Sequence, residues 1–274
     1  MSNADINRFF PQIKGDLSNV IWAHAVNSQA YLQNTLQNDE VMMIEADVVY
    51  GYLTDSPNKM AVMAHSIDDT SDLSLNMFLQ EIDNFNDKSD ILIGKGKGLK
   101  LDFKSLDAVE ASLDSILKYN KGKYPFWLNA DILPGPNYDK NEFIKVNPVD
   151  AEGFLSAVKK FQYSILSLGW TTKLSNANQN YSQKYIKEML EVIEKNKVSN
   201  ELTFAVRAGL VANSLPEMKE LLLNDNSTLT IWSSQDDYPG KVDVENLRKV
   251  ISDIGVSKIF IDVPHNLREA LHLK

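Results

Sequence analysis

Apolar residues along the chain follow two periods that alternate eight times. Short runs rich in β-branched, aromatic and leucine residues predict strands at 20–24, 41–47, 99–103, 126–131, 163–169, 202–207, 229–232 and 258–262. In most of the gaps, apolar residues recur three and four apart, which predicts helices over 28–36, 73–84, 105–117, 151–160, 183–195, 215–223 and 244–254. Ser105, Asp150 and Asp243 stand where helix N-caps belong. Strands alternating with helices at about 30 residues per unit predict an α/β fold, a (β/α)8 barrel of the TIM type, for which ~250 residues is typical. The 274 residues contain no Pro/Gly/Ser linker and no low-complexity tract, so a single domain is expected over 1–274, with a short polar extension at 1–19. The apolar run 60–64 follows the second strand too closely to be a barrel strand, and is read as part of an excursion, 55–72, of the loop that carries His65.

Parity within the strands points to chemistry. In 41–48, Met42, Ile44, Ala46 and Val48 share one face while Met43, Glu45 and Asp47 share the other. The run 99–104 repeats the design, with Lys100, Asp102 and Lys104 opposite Leu99, Leu101 and Phe103. A strand face bearing three charges is not ordinary core. Active sites of this fold lie at the carboxyl ends of the strands. The other ends carry His24, Asn129 with Asp131, Trp170 with Thr171, Arg207, Trp232 and Asp262.

Glu45, Asp47 and Asp102 offer three carboxylates from adjacent strands, a set suited to Mg²⁺ or Ca²⁺ completed by water and substrate phosphate. Histidine has the ordinary pKa that suits proton transfer near neutrality, so His24 and His65 are candidates for general base and general acid. Lys104 and Arg207 would neutralise phosphate oxygens as charge builds, or pair with the same carboxylates. Asn129 and Asp131 share a face and can add a ligand, support a neighbouring side chain or touch substrate. Trp170 and Trp232 are candidate walls for a substrate, although packing is the commoner use of tryptophan in a barrel.

Composition removes several function classes. A net charge of −9 argues against nucleic acid as the main partner. The absence of cysteine excludes disulfides, thiolate metal sites and cysteine nucleophiles. Residues 1–19 lack the apolar core of a signal peptide and no later run is long enough to span a membrane, so a soluble, cytoplasmic chain is expected. Gly94-Lys-Gly-Lys-Gly98 imitates a phosphate loop, but it precedes a strand instead of opening a helix and falls at the stability face of the barrel. Leu133-Pro-Gly-Pro-Asn137 follows the fourth strand on the catalytic face, where two prolines stiffen a rim loop.

Several of these stretches resemble the menorin family: Trp22-Ala-His-Ala-Val-Asn-Ser28, Ile44-Glu-Ala-Asp-Val48, Met63-Ala-His65, Lys100-Leu-Asp-Phe-Lys-Ser105, the long run Trp127-Leu-Asn-Ala-Asp-Ile-Leu-Pro-Gly-Pro-Asn137, Gly169-Trp-Thr-Thr172, Thr203-Phe-Ala-Val-Arg-Ala208 and Leu229-Thr-Ile-Trp232. The resemblance runs over about 20–262. That family in turn is similar to the phospholipase-C-like phosphodiesterases, which include glycerophosphodiester phosphodiesterases and sphingomyelinase D toxins. Their site is a first histidine, a Glu-x-Asp metal pair, a second histidine and a later acidic-x-Lys element. The resemblance therefore implies a site of His24, Glu45, Asp47, His65, Asp102 and Lys104, a divalent ion, and cleavage of a small-molecule or lipid phosphodiester. Attack of a neighbouring substrate hydroxyl, giving a cyclic phosphate, is one route it allows, and it does not assign which histidine is base.

One departure stands out: glycerophosphodiesterases carry Arg-Gly after the first histidine, where this chain has Ala25-Val26. Either that phosphate contact comes from elsewhere, with Arg207 the candidate, or the substrate differs. Two other readings remain: a binding or scaffold protein on a retired barrel, and a lyase using Lys104 or Lys100 as a Schiff-base amine. The second is disfavoured because a lysine flanked by Asp102 stays protonated.

Overall fold

The structure, a computed structural model, describes residues 3–65, 70–89, 94–139 and 147–273. In chain order its strands are β1 (Trp22–Ala23), β2 (Met43–Leu53), β3 (Lys59–Met63), β4 (Thr70–Ser71), β5 (Gly98–Phe103), β6 (Phe126–Pro134), β7 (Ile165–Thr171), β8 (Leu202–Arg207), β9 (Ser227–Trp232) and β10 (Ile259–Asp262). The helices are α1 (Asn3–Phe9), α2 (Gln29–Gln37), α3 (Leu75–Lys88), α4 (Leu106–Tyr119), α5 (Ala151–Val158), α6 (Gln183–Lys195), α7 (Ala208–Val211), α8 (Leu215–Leu221), α9 (Val244–Ile254) and α10 (His265–Ala270).

Strands β1, β2 and β5 to β10 pair in parallel in that order and form a nearly closed eight-stranded TIM-like barrel, as the alternating pattern predicts. The helix starts fall where the caps are. Ser28 and Ser74 accept from the backbone N–H of Tyr31 and Met77, Ser105 from Ala108, Asp150 from Gly153 and Asp243 from Asn246, each satisfying a donor that the first turn leaves free.

Residue parity decides what fills the interior. Near the amino ends of the strands, Trp22, Trp127 and Phe260 pack edge to face, with centroids 5.3 and 4.8 Å apart at Trp22–Trp127 and Trp127–Phe260. Above this plug the lining turns polar: Ser167 donates to Asn129 at 2.5 Å, and the Thr203 and Thr230 hydroxyls bond at 2.8 Å. Among the described residues no ladder joins β10 to β1. Side chains close that seam instead, with Trp22 against Phe260 and Arg268 donating across it to the Ser18 carbonyl at 2.6 Å.

Two expectations are corrected. The segment at 1–19 is no pendant polar extension: Ile6, Phe9, Phe10, Ile13 and Leu17 are all buried. They recur three and four apart between polar residues, a helical stripe that the short window hides. Phe9 and Gln12 of this segment meet 94–98, where a Cβ on Gly96 would come within 2.5 Å of the Phe9 ring and Gln12 donates to the Gly94 carbonyl. The Gly-Lys-Gly-Lys-Gly run thus serves close packing at the amino end of β5. Buried Lys97 there donates to the carbonyls of Asn38 and Val41 at 2.6 and 2.5 Å.

The second strand, expected to end at 47, runs on to Leu53 and turns into an antiparallel hairpin with β3; β3 itself stands off the barrel path, as the 55–72 excursion predicts, and residues 66–69 lie outside the described residues. If the amino-terminal stripe belongs to the core, Phe10→Ala will lower the unfolding free energy by about 3–5 kcal/mol in urea denaturation. A change within ~0.5 kcal/mol, the range of ordinary surface substitutions, contradicts the packing described.

Candidate active site

Strands β2 and β5 bring the acidic cluster together at the carboxyl end of the barrel. Asp47 pairs in register with Asp102 and Glu45 with Lys100, so the four side chains enter the interior side by side. One oxygen each from Glu45, Asp47 and Asp102 lies within 4.8 Å of the others. Every carboxylate is aimed by a neighbour. Asn27 donates to Asp47 Oδ2 at 2.7 Å and accepts from the Asp47 N–H at 2.9 Å. Asn129, itself held by Ser167, donates to Asp102 Oδ1 at 2.6 Å. The Ala25 N–H donates to Glu45 Oε2 at 2.7 Å, an approach set by the left-handed backbone at Ala25 (φ 54°) just after β1. Lys104 Nζ bridges Asp47 Oδ1 at 2.7 Å and Asp102 Oδ2 at 2.5 Å.

A second ion-pair group closes the barrel seam beside this cluster. His24 Nδ1 lies 3.1 Å from Asp262 Oδ2 and 3.5 Å from Glu45 Oε2, and Lys100 Nζ reaches the same Asp262 oxygen at 3.3 Å while standing over the Trp22 ring. The Asp262 carboxylate, and after it Glu45, push His24 up to about 10 despite its partial burial. Against the cost of burial, His24 and Lys100 draw Asp262 down to about 2. Burial raises Glu45 to about 7, with Asp47 adding to the rise. Burial, then the Asp102 charge, raises Asp131 to about 7 as well. Lys104 is half-buried, and Asp102 and Asp47 hold it well above its ordinary range.

Charge balance tests whether a metal fits. Five carboxylates (Glu45, Asp47, Asp102, Asp131 and Asp262) face three cations (His24, Lys100 and Lys104) in the barrel mouth, because Arg207 is taken up elsewhere. Burial is the main cause of the raised values of Glu45 and Asp131, and neighbouring carboxylates add to it. Glu45 Oε1 accepts no hydrogen bond among the described residues. Three carboxylate oxygens within 4.8 Å of one another make an all-oxygen donor set that fits a hard divalent cation such as Mg²⁺ or Ca²⁺.

The remaining candidates fall in different places. His65 lies just past β3, exposed, near enough for its charge to be felt at Asp47. Asp131 projects into the mouth from β6. Trp232 is half-buried, with the Arg207 guanidinium 5.2 Å from its ring centroid. Arg207 does not present a free guanidinium: it donates to both Asp237 oxygens at 2.8 Å, to the Thr172 carbonyl and to Ser234. It therefore fastens the rim loops after β7 and β9, and the phosphate contact expected of it would break a buried pair.

Trp170 is likewise placed differently from the expected substrate wall. Gly169 and Thr171 have the inward parity of β7, so Trp170 turns outward and packs on Tyr181 and Phe204, 1% exposed. The sequence reading passed over Asn27 and Asp237. Asn27 lies within the resembling stretch at 22–28, so it was open to recognition; Asp237 sits in a rim loop with no motif around it.

The acidic, lysine-bridged cluster thus stands at the carboxyl mouth of a parallel barrel, the face on which active sites of this fold lie. Residues 16–268 match the profile of the Menorin N-terminal domain, and the chain belongs to the menorin family. Human Protein FAM151B is 35% identical over 268 residues, covering 94% of this chain and 89% of that protein. A glycerophosphoryl diester phosphodiesterase from Parabacteroides distasonis shares the fold with a TM-score of 0.51 at 15% identity, over 99% of this chain and 92% of that one. The catalytic domain of a hyperthermophilic chitinase from Pyrococcus furiosus does so with a TM-score of 0.53 at 14% identity, over 89% and 83%. Two chemistries on one fold show that these likenesses speak to the barrel alone. No described helix is long and apolar enough to cross a membrane.

The His24 ion pair generates a pH prediction. Its folded value lies above the ordinary 6.5, so its contribution to stability is fully present below pH 6.5 and is lost as pH rises through about 10. In metal-free protein, Asp262→Asn will bring the NMR titration midpoint of the His24 ring down from about 10 toward 6.5. A midpoint unmoved by the substitution contradicts the assignment of Asp262 as the main cause.

Proposed function

We propose that this protein is a metal-dependent phosphodiesterase, cleaving a small-molecule or lipid phosphodiester by water or by a neighbouring substrate hydroxyl. The observation that carries the reading is the Glu45, Asp47 and Asp102 cluster, three oxygens within 4.8 Å at the mouth of the barrel with a cationic lysine and a histidine at its edge. Bound there, Mg²⁺ or Ca²⁺ would supply Lewis-acid polarisation of the phosphoryl group.

The chain's own residues account for the rest. Asn27, Asn129 and the Ala25 N–H hold the three carboxylates in place for the ion. Lys104 keeps a positive charge beside them, placed to neutralise a non-bridging phosphate oxygen as charge builds. His24 is tied through Nδ1 to Asp262, which leaves Nε2 as the nitrogen available to move a proton at the mouth. His65, just past β3, is the second proton carrier, so that one histidine would serve the attacking oxygen and the other the leaving oxygen. Lys100 and Lys104 are both held protonated by paired carboxylates, which weighs against the Schiff-base alternative. One observation favours a retired barrel that binds without turnover: Ala25-Val26 supplies no arginine at the mouth and Arg207 is closed onto Asp237.

Calorimetric titration of metal-stripped protein with Mg²⁺, Ca²⁺ and Mn²⁺, followed by a screen of phosphodiesters, separates the two. The enzyme reading expects saturable binding, and expects Asp47→Ala to abolish it together with turnover, a loss of about 1,000-fold or more, while the folded circular dichroism spectrum is kept. A wild type that binds metal but cleaves none of the diesters supports the retired barrel.

A further inference from the structure

Two of the three clustered carboxylates share one partner: Lys104 Nζ bridges Asp47 Oδ1 at 2.7 Å and Asp102 Oδ2 at 2.5 Å. These are also the oxygens an ion would use. Asn27 holds the other oxygen of Asp47 and Asn129 the other oxygen of Asp102, at 2.7 and 2.6 Å. Lys104 stands where the cluster meets solvent. Its side chain is 25% exposed and that of Asp102 19%, against 4% for Asp47 and 2% for Glu45. The backbone there is pinned, since the Lys104 N–H donates to the Val48 carbonyl at 3.1 Å and the next residue, Ser105, caps α4. The flexible four-carbon stem is the part that can move.

An ion bound to Asp47 Oδ1 and Asp102 Oδ2 at about 2.0–2.6 Å would lie within about 5 Å of an ammonium that bridges the same two oxygens. Repulsion between a dipositive ion and an ammonium is strong at that separation in a site so little exposed. We propose that Lys104 and the divalent ion exchange on Asp47 and Asp102: the ammonium gives way as the ion binds, and Nζ turns to the mouth, where an oxygen of a phosphate ester takes it up. The inference rests on the phosphodiesterase reading in placing ion and phosphate at this cluster, and it adds how the two are linked. Lys104 holds ion affinity down until an oxyanion is present to receive the displaced ammonium. Ion and ester therefore bind cooperatively through one side chain, each raising the affinity for the other by the same factor. A lysine that served the phosphate alone would stay on the two aspartates when the ion binds.

The test titrates the metal-stripped full chain with Mg²⁺ by calorimetry, with and without dimethyl phosphate at matched ionic strength, and reads phosphodiester turnover separately. In the wild type the diester is expected to tighten Mg²⁺ binding by about 5- to 150-fold, the usual range of coupling between two ligands. Lys104→Met is expected to bind Mg²⁺ more tightly than the wild type when no diester is present, and to lose most of the coupling; Lys104→Arg, which keeps a cation, is expected to retain weak binding. Because Lys104→Met strips a cation from two buried acids, a wild-type crystal with Mg²⁺ and dimethyl phosphate gives an answer that needs no variant: Nζ is expected beyond 3.5 Å from Asp47 Oδ1 and Asp102 Oδ2, outside hydrogen-bond reach. An ion bound with Nζ still bridging both oxygens, a folded Lys104→Met that binds Mg²⁺ no more tightly, a wild-type affinity indifferent to the diester, or no Mg²⁺ binding under any condition overturns the exchange. Exchange without turnover of any diester contradicts the phosphodiesterase reading and leaves the inference standing. Turnover by a protein whose Lys104 stays on the two aspartates does the reverse.

Discussion

Carboxylates placed inside a β-barrel must be compensated where they stand, and this requirement shapes the whole upper half of the molecule. Removing a charged carboxylate from water without a partner costs several kcal/mol, and Glu45, Asp47, Asp102 and Asp262 are each answered by a cation, an amide or a backbone N–H. Lys104 bridges Asp47 and Asp102 while Lys100 and His24 converge on Asp262. Glu45 and Asp131 are nevertheless raised to about 7, by burial first and by neighbouring carboxylates after it.

The lower half supplies the rigidity that such a site needs. Edge-to-face packing of Trp22, Trp127 and Phe260 fills the barrel beneath the charges, and the amino-terminal stripe of Ile6, Phe9, Phe10 and Ile13 is buried, with Phe9 against the segment that leads into β5. The polar layer of Asn129, Ser167, Thr203 and Thr230 lies between plug and mouth. The seam between β10 and β1 lacks a ladder, and the His24–Asp262 contact crosses it at the level of the acidic cluster. One ion pair is thereby shared between closure of the barrel and orientation of a candidate proton carrier, which ties the stability of the mouth to its chemistry.

Much of this was legible in the sequence because strand parity is strict. Glu45 with Asp47, and Lys100 with Asp102 and Lys104, fall on one face by alternation alone, and the spacing of the strand runs sets the barrel. Parity also explains the misplacement of Trp170: once Gly169 is seen to face Asp131, its neighbour must face the helices. The role of Arg207 was hidden because its partner, Asp237, comes from a rim loop whose position depends on the tertiary fold and carries no periodic signal. The amino-terminal stripe was missed because its apolar residues are diluted by polar ones over barely two turns. Asn27 was within reach, since an amide three residues after the histidine at a strand end is well placed to hold a carboxylate of the next strand.

The central claim is that the acidic cluster is a metal centre. Anomalous diffraction from crystals grown with Mn²⁺ tests it most directly. The account predicts one peak within about 2.0–2.4 Å of oxygens from Glu45, Asp47 and Asp102, absent in crystals of Asp47→Ala. A wild-type map with no peak there, and with Lys104 still bridging Asp47 and Asp102, would contradict it.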